Sequence, residues 1–188
     1  STTWSSPTCA CQTATGSTSW QEAFEAPITD IFRVQADIAG RVARSLDVAL
    51  RAGQQEQLAE KPTRNLAAYD LYLRGRHAWH RRTAEGLDLA RELFEQAIKL
   101  DPNFARAHAG LADVYVVMPL WSDVPPSQTY PRAKAAALQA LRLDSTLAEP
   151  EAALADVHAM YEWDWPAAER RFRRALALDP TNANTHHW

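Results

Sequence analysis

Two groups of side chains in this chain have types and spacing suited to binding a metal ion. His77 and His80 are three residues apart, so both imidazoles would lie on one side of a helix. A closed zinc site needs four ligands, and no pattern near these histidines supplies a third. Cys9 and Cys11 could join such a site, but their Ser/Thr-rich surroundings favour two spectator thiols. We therefore predict no metal site.

A third group has the composition of a carbohydrate-processing site. The carboxylates Glu162 and Asp164 alternate with Trp163 and Trp165, as an acid pair beside an aromatic sugar platform would. Packing at a turn between two helices explains the same residues, and we favour it. The six glycines form no phosphate-binding cluster, and no serine lies in a nucleophile elbow. The sequence therefore predicts no catalytic residue, no cofactor and no enzymatic activity.

The elements that carry these side chains are marked by a signature that recurs three times. It consists of an alanine, an apolar residue four positions on, an alanine three further on, and Leu-Asp three beyond that. These offsets keep the side chains on one helical face, and a proline after the aspartate, as at Pro102 and Pro180, ends the helix. Recurrence of this kind predicts an all-α superhelical array of antiparallel helix pairs. The copies are Ala90, Phe94, Ala97, Leu100-Asp101; Ala133, Ala137, Ala140, Leu143-Asp144; and Ala168, Phe172, Ala175, Leu178-Asp179.

The helices before each signature also repeat, with small residues where two helices would approach closely. The whole pattern resembles the tetratricopeptide repeat (TPR) family over residues 63–188. The resemblance implies about three repeats, plus the start of a fourth, within residues 62–188. It also implies a scaffold that binds a peptide or protein segment in a concave groove lined by the first helix of each pair. The repeated residues are Ala105, Ala107, Leu111-Ala112 and Tyr115, then Ala148, Leu154-Ala155 and His158.

The same resemblance implies which side chains face the groove. Three of the six are carboxylates, which favours a basic or amine-bearing ligand. The family's carboxylate clamp uses lysine and asparagine at these places, and this chain lacks them, so we do not expect a chaperone-tail ligand. The groove residues are Arg106, Ala109 and Asp113 in the second repeat, and Glu149, Ala152 and Asp156 in the third.

A proline-rich stretch, residues 118–131, interrupts the second repeat. It contains four prolines, and proline in a helix interior removes a backbone hydrogen bond and clashes with the preceding turn. We therefore expect a projecting loop. Trp121 within it is a candidate for contact with a partner.

Residues 1–61 differ from the repeats. Residues 1–27 are rich in Ser and Thr and predict a flexible segment or the remnant of a strand. Residues 28–61 predict an amphipathic helix with its apolar stripe at Ile31, Val34, Ile38, Val42, Leu46 and Ala49.

The string around Thr15-Gly16, Trp20 and residues 29–39 resembles the end of the TolB-like domain that precedes TPRs in many bacterial proteins. In that family, such arrays are joined to nucleotide cyclases, kinases or winged-helix transcription regulators. The resemblance therefore implies an alternative function, as the regulatory or dimerisation part of a larger bacterial signalling protein.

Charge and composition narrow the partners. The net charge is −3, and no apolar run approaches the length of a membrane span. The four arginines among residues 170–174 flank the repeat signature, which places them on the outer face of a helix. We expect neither nucleic acid nor a membrane as partner. Two cysteines are too few for a disulfide framework, which favours a reducing, cytoplasmic location.

Apolar surface at both ends of the chain predicts a homodimer. A fourth repeat opens at Asp179-Pro180, yet the chain stops before a further helix pair could cover the last helix. The stripe of residues 28–61 likewise needs a partner surface. The expected contacts are Ile38 and Val42, or Phe172 and Leu176.

Overall fold

The computed structural model describes residues 9–12, 18–22, 37–39, 62–182 and 185–186. The chain divides into two compact units, residues 1–61 and 62–188. The predicted amphipathic helix over residues 28–61 lies outside the described residues, except for a helical stretch at residues 37–39.

The first unit contains two short strands that pair antiparallel. Strand β1 is Cys9–Gln12 and β2 is Thr18–Glu22, with Cys9 opposite Glu22 and Cys11 opposite Trp20. Threonine and tryptophan in β2 favour the extended backbone. The prediction for residues 1–27, a flexible segment or the remnant of a strand, stays a prediction. The pairing was missed because the segment shows no regular alternation of apolar and polar residues.

The second unit is an array of helix pairs, as the sequence predicts, and the all-α class is confirmed for it. Each helix is joined to the next by a short connection and packs against it. The pairs are α1 (Leu66–His80) with α2 (Ala84–Leu100), α3 (Ala105–Trp121) with α4 (Pro126–Leu143), and α5 (Glu149–Val157) with α6 (Trp165–Leu178). A π-helical turn, His158–Glu162, extends α5. Residues 185–186 are again helical, and the Asn182 side chain accepts a hydrogen bond from the Thr185 N–H at 3.1 Å.

The repeated alanines form the contacts between the helices. All six are buried at 3% exposure or less, so their small side chains permit the close approach of the helix axes. Each second helix ends at the predicted aspartate, whose carboxylate accepts a hydrogen bond from the backbone N–H two residues later. This Asx turn redirects the chain into the next first helix. The alanines are Ala90, Ala97, Ala133, Ala140, Ala168 and Ala175, and the aspartates are Asp101, Asp144 and Asp179.

Phe94 fills the centre of the first two pairs. Its side chain is fully buried and faces Gly75 on α1 and Gly110 on α3. A Cβ at Gly110 would lie 2.6 Å from Phe94 Cζ, and one at Gly75 would lie 2.8 Å from Phe94 Cε1. Because ordinary carbon contacts are about 3.5–4.0 Å, both glycines are needed for the ring to fit.

The prediction of a projecting loop at residues 118–131 is wrong. Helix α3 continues through Pro119 to Trp121, and α4 starts at Pro126 and contains Pro131. Each internal proline removes one helical hydrogen bond, because it has no N–H to donate to the carbonyl four residues earlier. Burial of three side chains in this stretch, Met118, Thr129 and Tyr130, offsets that cost.

The connection between α1 and α2 is short. Helix α1 ends at His80, and the Thr83 side chain caps α2 by accepting a hydrogen bond from the Gly86 N–H at 3.1 Å. Arg82 turns the chain in the left-handed backbone region, at φ 52°. One residue with positive φ thus replaces a longer loop.

Candidate functional site

The first helices of the pairs pack beside one another. We call the surface formed by α1, α3, α5 and residues 182–186 the first-helix face. It contains a partly open cavity of about 30 Å³. The polar residues around this cavity are Trp79, Asp113, Glu149, Asp156, Asn182 and Thr185.

The structure brings four of the six predicted groove residues together at this cavity. Asp113 comes from α3, whereas Glu149, Ala152 and Asp156 come from α5. Asp113 and Asp156 are 43 positions apart, the same separation as the Leu-Asp stops of the first and second signatures, so they hold equivalent places in successive repeats.

The other two predicted groove residues lie elsewhere on α3. Arg106 is half-buried, and Ala109 packs in a cluster with Ala105, Ala140 and Leu147. The alanine therefore contributes to helix packing. Binding of a partner by any of the six residues stays a prediction.

Asp113 is held in a poorly solvated position with a distant cation. Its side chain is 17% exposed, and Arg76 Nη1 lies 3.8 Å from Asp113 Oδ2, beyond hydrogen-bonding distance. Burial raises the pKa of Asp113 to about 7, partly opposed by Arg76 and reinforced by Glu149 and Asp156. At neutral pH this carboxyl is therefore partly protonated.

Asp156 is more deeply buried, at 4% exposure. No group in the described part of the chain hydrogen-bonds its Oδ1. Burial raises the pKa of Asp156 to about 7 as well. Two neighbouring carboxyls are thus kept from full ionisation at neutral pH, and a cation bound between them would favour their charged forms.

Trp79 closes one side of the cavity from the end of α1. It is buried at 3% exposure, as expected for an aromatic residue filling the space between repeats. The Arg82 guanidinium lies 3.8 Å from the centroid of its ring and the Arg76 guanidinium lies 5.3 Å away. Among the described residues, nothing hydrogen-bonds the indole Nε1.

Two cavity residues were missed from the sequence. Asn182 and Thr185 follow the Asp179-Pro180 stop and line the cavity from the start of the next helix. A signal was present, because residues just after each stop open a first helix. Which of them faces the preceding first helices depends on the rotation between repeats.

The carboxylates near Trp163 and Trp165 have structural partners. Glu162 binds Lys134 at 2.5 Å and His158 at 2.8 Å, whereas Asp164 accepts from the Ala167 N–H at 3.0 Å and caps α6. This agrees with a helix-end role for both.

The two tryptophans of this turn do not pack as predicted. Trp163 is 69% and Trp165 56% exposed, and they contact each other edge to face at 6.0 Å. Trp163 directly follows the π-helical turn and has a left-handed backbone, with φ 58°.

The remaining candidate residues lie apart from the cavity. Trp121 is the last residue of α3 and 51% exposed, so it is accessible on a helix end and not in a loop. In the described ranges, no three histidine, cysteine or acidic residues are grouped as a metal site. The arginines of α6 include Arg171, bound to Glu151 at 2.7 Å, and Arg173, bound to Glu169 at 2.6 Å.

Other predictions concern dimerisation and membranes. Ile38, Phe172 and Leu176 are half-buried, and Val42 lies outside the described residues, so the homodimer stays a prediction. No helix within the described ranges is both long and apolar enough to cross a membrane.

Comparisons with known proteins agree with the repeat architecture. No family model matches the chain. A putative adenylate cyclase 3 from Rhizobium meliloti (strain 1021) is 33% identical over 98 residues, which is 52% of this chain and 17% of the cyclase. The chain thus spans about a sixth of that relative's length.

Among solved structures, the Arabidopsis OM64 TPR domain superposes with a TM-score of 0.52 at 17% identity, covering 65% of this chain and 90% of that domain. At this identity the likeness concerns the fold. The second unit of the chain has a TPR-like fold.

Proposed function

We propose that the helical array is a protein-interaction module that holds a peptide or protein segment against its first-helix face. The observation that carries this proposal is the grouping of Asp113, Glu149 and Asp156 from two first helices around one partly open cavity. Acidic side chains gathered on one face favour a basic segment. On α2, in contrast, three exposed acidic residues, Asp88, Glu92 and Glu95, form ion pairs with Arg91.

Replacing Asp113, Glu149 and Asp156 together with alanine should weaken the binding of a basic peptide. Even exposed charge pairs contribute about 0.2–1 kcal/mol each, and these carboxyls are less exposed, so we expect a loss of at least about threefold in affinity. The loss should shrink as salt is added, because salt screens such pairs. Fluorescence anisotropy with labelled lysine-rich and arginine-rich peptides at low salt measures it.

A charge-matched control is available on α2. Glu85, Asp88 and Glu92 are exposed, so their replacement by alanine removes the same number of carboxyl groups from another surface. This control should bind the peptides as the unmodified protein does. Equal weakening in both triple variants would show a nonspecific effect of net charge and would contradict the groove.

A second candidate function is supported by the match to the putative adenylate cyclase. We propose as the alternative that the array is a regulatory or dimerisation part of a larger bacterial signalling protein, and the TolB-like resemblance of residues 15–39 supports the same assignment. The test is the open reading frame that encodes the chain. A cyclase, kinase or winged-helix domain in that frame supports this candidate, and a frame without one contradicts it.

A further inference from the structure

Three buried polar groups converge on the cavity of the first-helix face. They are Trp79 Nε1, Asp156 Oδ1 and Thr185 Oγ1, and none has a hydrogen-bond partner among the described residues. Each of these residues is 4% exposed or less. Buried polar groups are nearly always hydrogen-bonded, because leaving one unpaired costs about 1–3 kcal/mol. Their convergence therefore indicates a site for a polar ligand.

The charges around the cavity indicate the sign of that ligand. Three carboxylates, Asp113, Glu149 and Asp156, line it. The nearest cation, Arg76, stays 3.8 Å from Asp113 and also lies over the Trp79 ring. Arg82 is engaged on the same ring. The three acidic groups outnumber these two arginines, and a cationic ligand would favour the charged forms of Asp113 and Asp156.

The unpaired acceptors indicate what kind of cation fits. An ammonium group is a compact charge with three donors, whereas a guanidinium is a planar group with five donors in a fixed fork. Among the described residues, the cavity offers two unpaired acceptors, Asp156 Oδ1 and Thr185 Oγ1. Three donors leave fewer unpaired groups beside two acceptors than five donors do, so the acceptors favour the ammonium.

We propose that this cavity binds one primary ammonium group, with Asp156 Oδ1 and Thr185 Oγ1 accepting its hydrogen bonds and Asp113 balancing its charge. The inference rests on the proposed function and adds a preference for lysine or a free amino group over arginine. The Trp79 indole N–H is a donor, so it suits a carbonyl oxygen of the same ligand. A free amino group carries such a carbonyl next to it in a peptide, and a lysine side chain does not.

Small probes test the site on the full chain at constant ionic strength. Nα-acetyl-lysine methylamide carries a side-chain ammonium, Nα-acetyl-arginine methylamide a guanidinium, and glycine methylamide a free amino group beside a carbonyl. The indole N–H resonance of Trp79, assigned with Trp79→Phe, reports occupancy in an NMR titration. We expect at least one ammonium probe to bind at least tenfold more tightly than the arginine probe. The tighter of the two ammonium probes identifies the source of the group.

Two variants test the acceptors. Asp156→Asn keeps the side-chain shape and should weaken the ammonium probe at least tenfold, whereas Thr185→Val should weaken it severalfold. Asp88→Asn, which removes one exposed charge on α2, should leave binding unchanged. Circular dichroism confirms folding, and Thr185→Val keeps the test available if Asp156→Asn unfolds.

Equal binding of the ammonium and arginine probes, no binding of either ammonium probe, or unchanged binding by both folded variants would overturn the ammonium site. The proposed binding of a basic segment by the first-helix face is tested by separate outcomes. If lysine-rich and arginine-rich peptides bind equally and the triple alanine variant weakens both, the groove stands while the ammonium site does not.

Discussion

Replacing Phe94 with alanine should lower the free energy of unfolding of the array by about 3–5 kcal/mol. The ring is fully buried and contacts α1 and α3 at Gly75 and Gly110, with Tyr72 at a centroid distance of 5.9 Å. Its removal leaves a cavity that the facing helices cannot close without shifting as rigid units. Urea unfolding followed by circular dichroism measures the change.

Phe172→Ala is the matched control, because Phe172 holds the same place in the third signature but is only half-buried. We expect Phe172→Ala to lower the free energy of unfolding by less than half as much as Phe94→Ala does. Comparable losses at the two positions would contradict the central role of Phe94.

The fit of Phe94 also predicts coupling with Gly110. Gly110→Ala should destabilise the array by about 1–3 kcal/mol through overpacking, although alanine is the better helix former. In a chain that already carries Phe94→Leu, Gly110→Ala should lower the free energy of unfolding by clearly less, because the ring atom that would lie 2.6 Å from the new Cβ is gone. A double-mutant cycle measures the coupling, and strict additivity would contradict it.

The array should become more stable as the pH falls from 8 to 5.5. Burial raises the pKa values of Asp113 and Asp156 to about 7 from an ordinary value of 3.8, so in this range the folded chain binds protons that the unfolded chain does not. Their contribution to stability is complete below the unfolded pKa and is lost as the pH rises through about 7. At about 1.4 kcal/mol per pKa unit, the expected gain is roughly 2–4 kcal/mol for the pair.

Other titrating groups limit the useful range. Burial and nearby cations lower the pKa of His80. Below its ordinary value of 6.5, the unfolded chain therefore binds this proton more readily, which reduces the gain in stability. The hydrogen bond from Lys134 lowers the pKa of Glu162. The stability that the charged Glu162 contributes is therefore lost only below its ordinary pKa of 4.5. The charged and titratable groups near the two aspartates are Arg76, Arg82, Glu149, Tyr72 and Tyr130.

The double variant Asp113→Asn/Asp156→Asn isolates the effect. It keeps the shape of both side chains and removes both titrations, so its stability should change much less between pH 8 and 5.5. Urea midpoints at four pH values provide the comparison. A variant as pH-dependent as the unmodified chain would assign the effect to other groups.

The sequence by itself determined the repeat architecture. The repeated alanines lie on one face of each helix, and a Leu-Asp stop ends the helix after them. Such short helices can bury this apolar face only by stacking on one another, regardless of the length of the loops between them. Ala90, Ala133 and Ala168 are accordingly buried. The grouping of Asp113 with Asp156 could also be predicted from the sequence, because equivalent positions of successive repeats lie on the same face.

The tertiary structure decided what local rules leave open. Pro119 and Pro131 lie inside helices because burial of their neighbours offsets a missing hydrogen bond, and that burial is invisible in a local pattern. Trp163 and Trp165 are exposed just after a π-helical turn, an element that the repeat pattern does not predict. Thr185 reaches the cavity of Trp79 although they are 106 positions apart in sequence. Whether these two residues line the same cavity depends on the angle between stacked helix pairs, which is set by side-chain packing throughout the array.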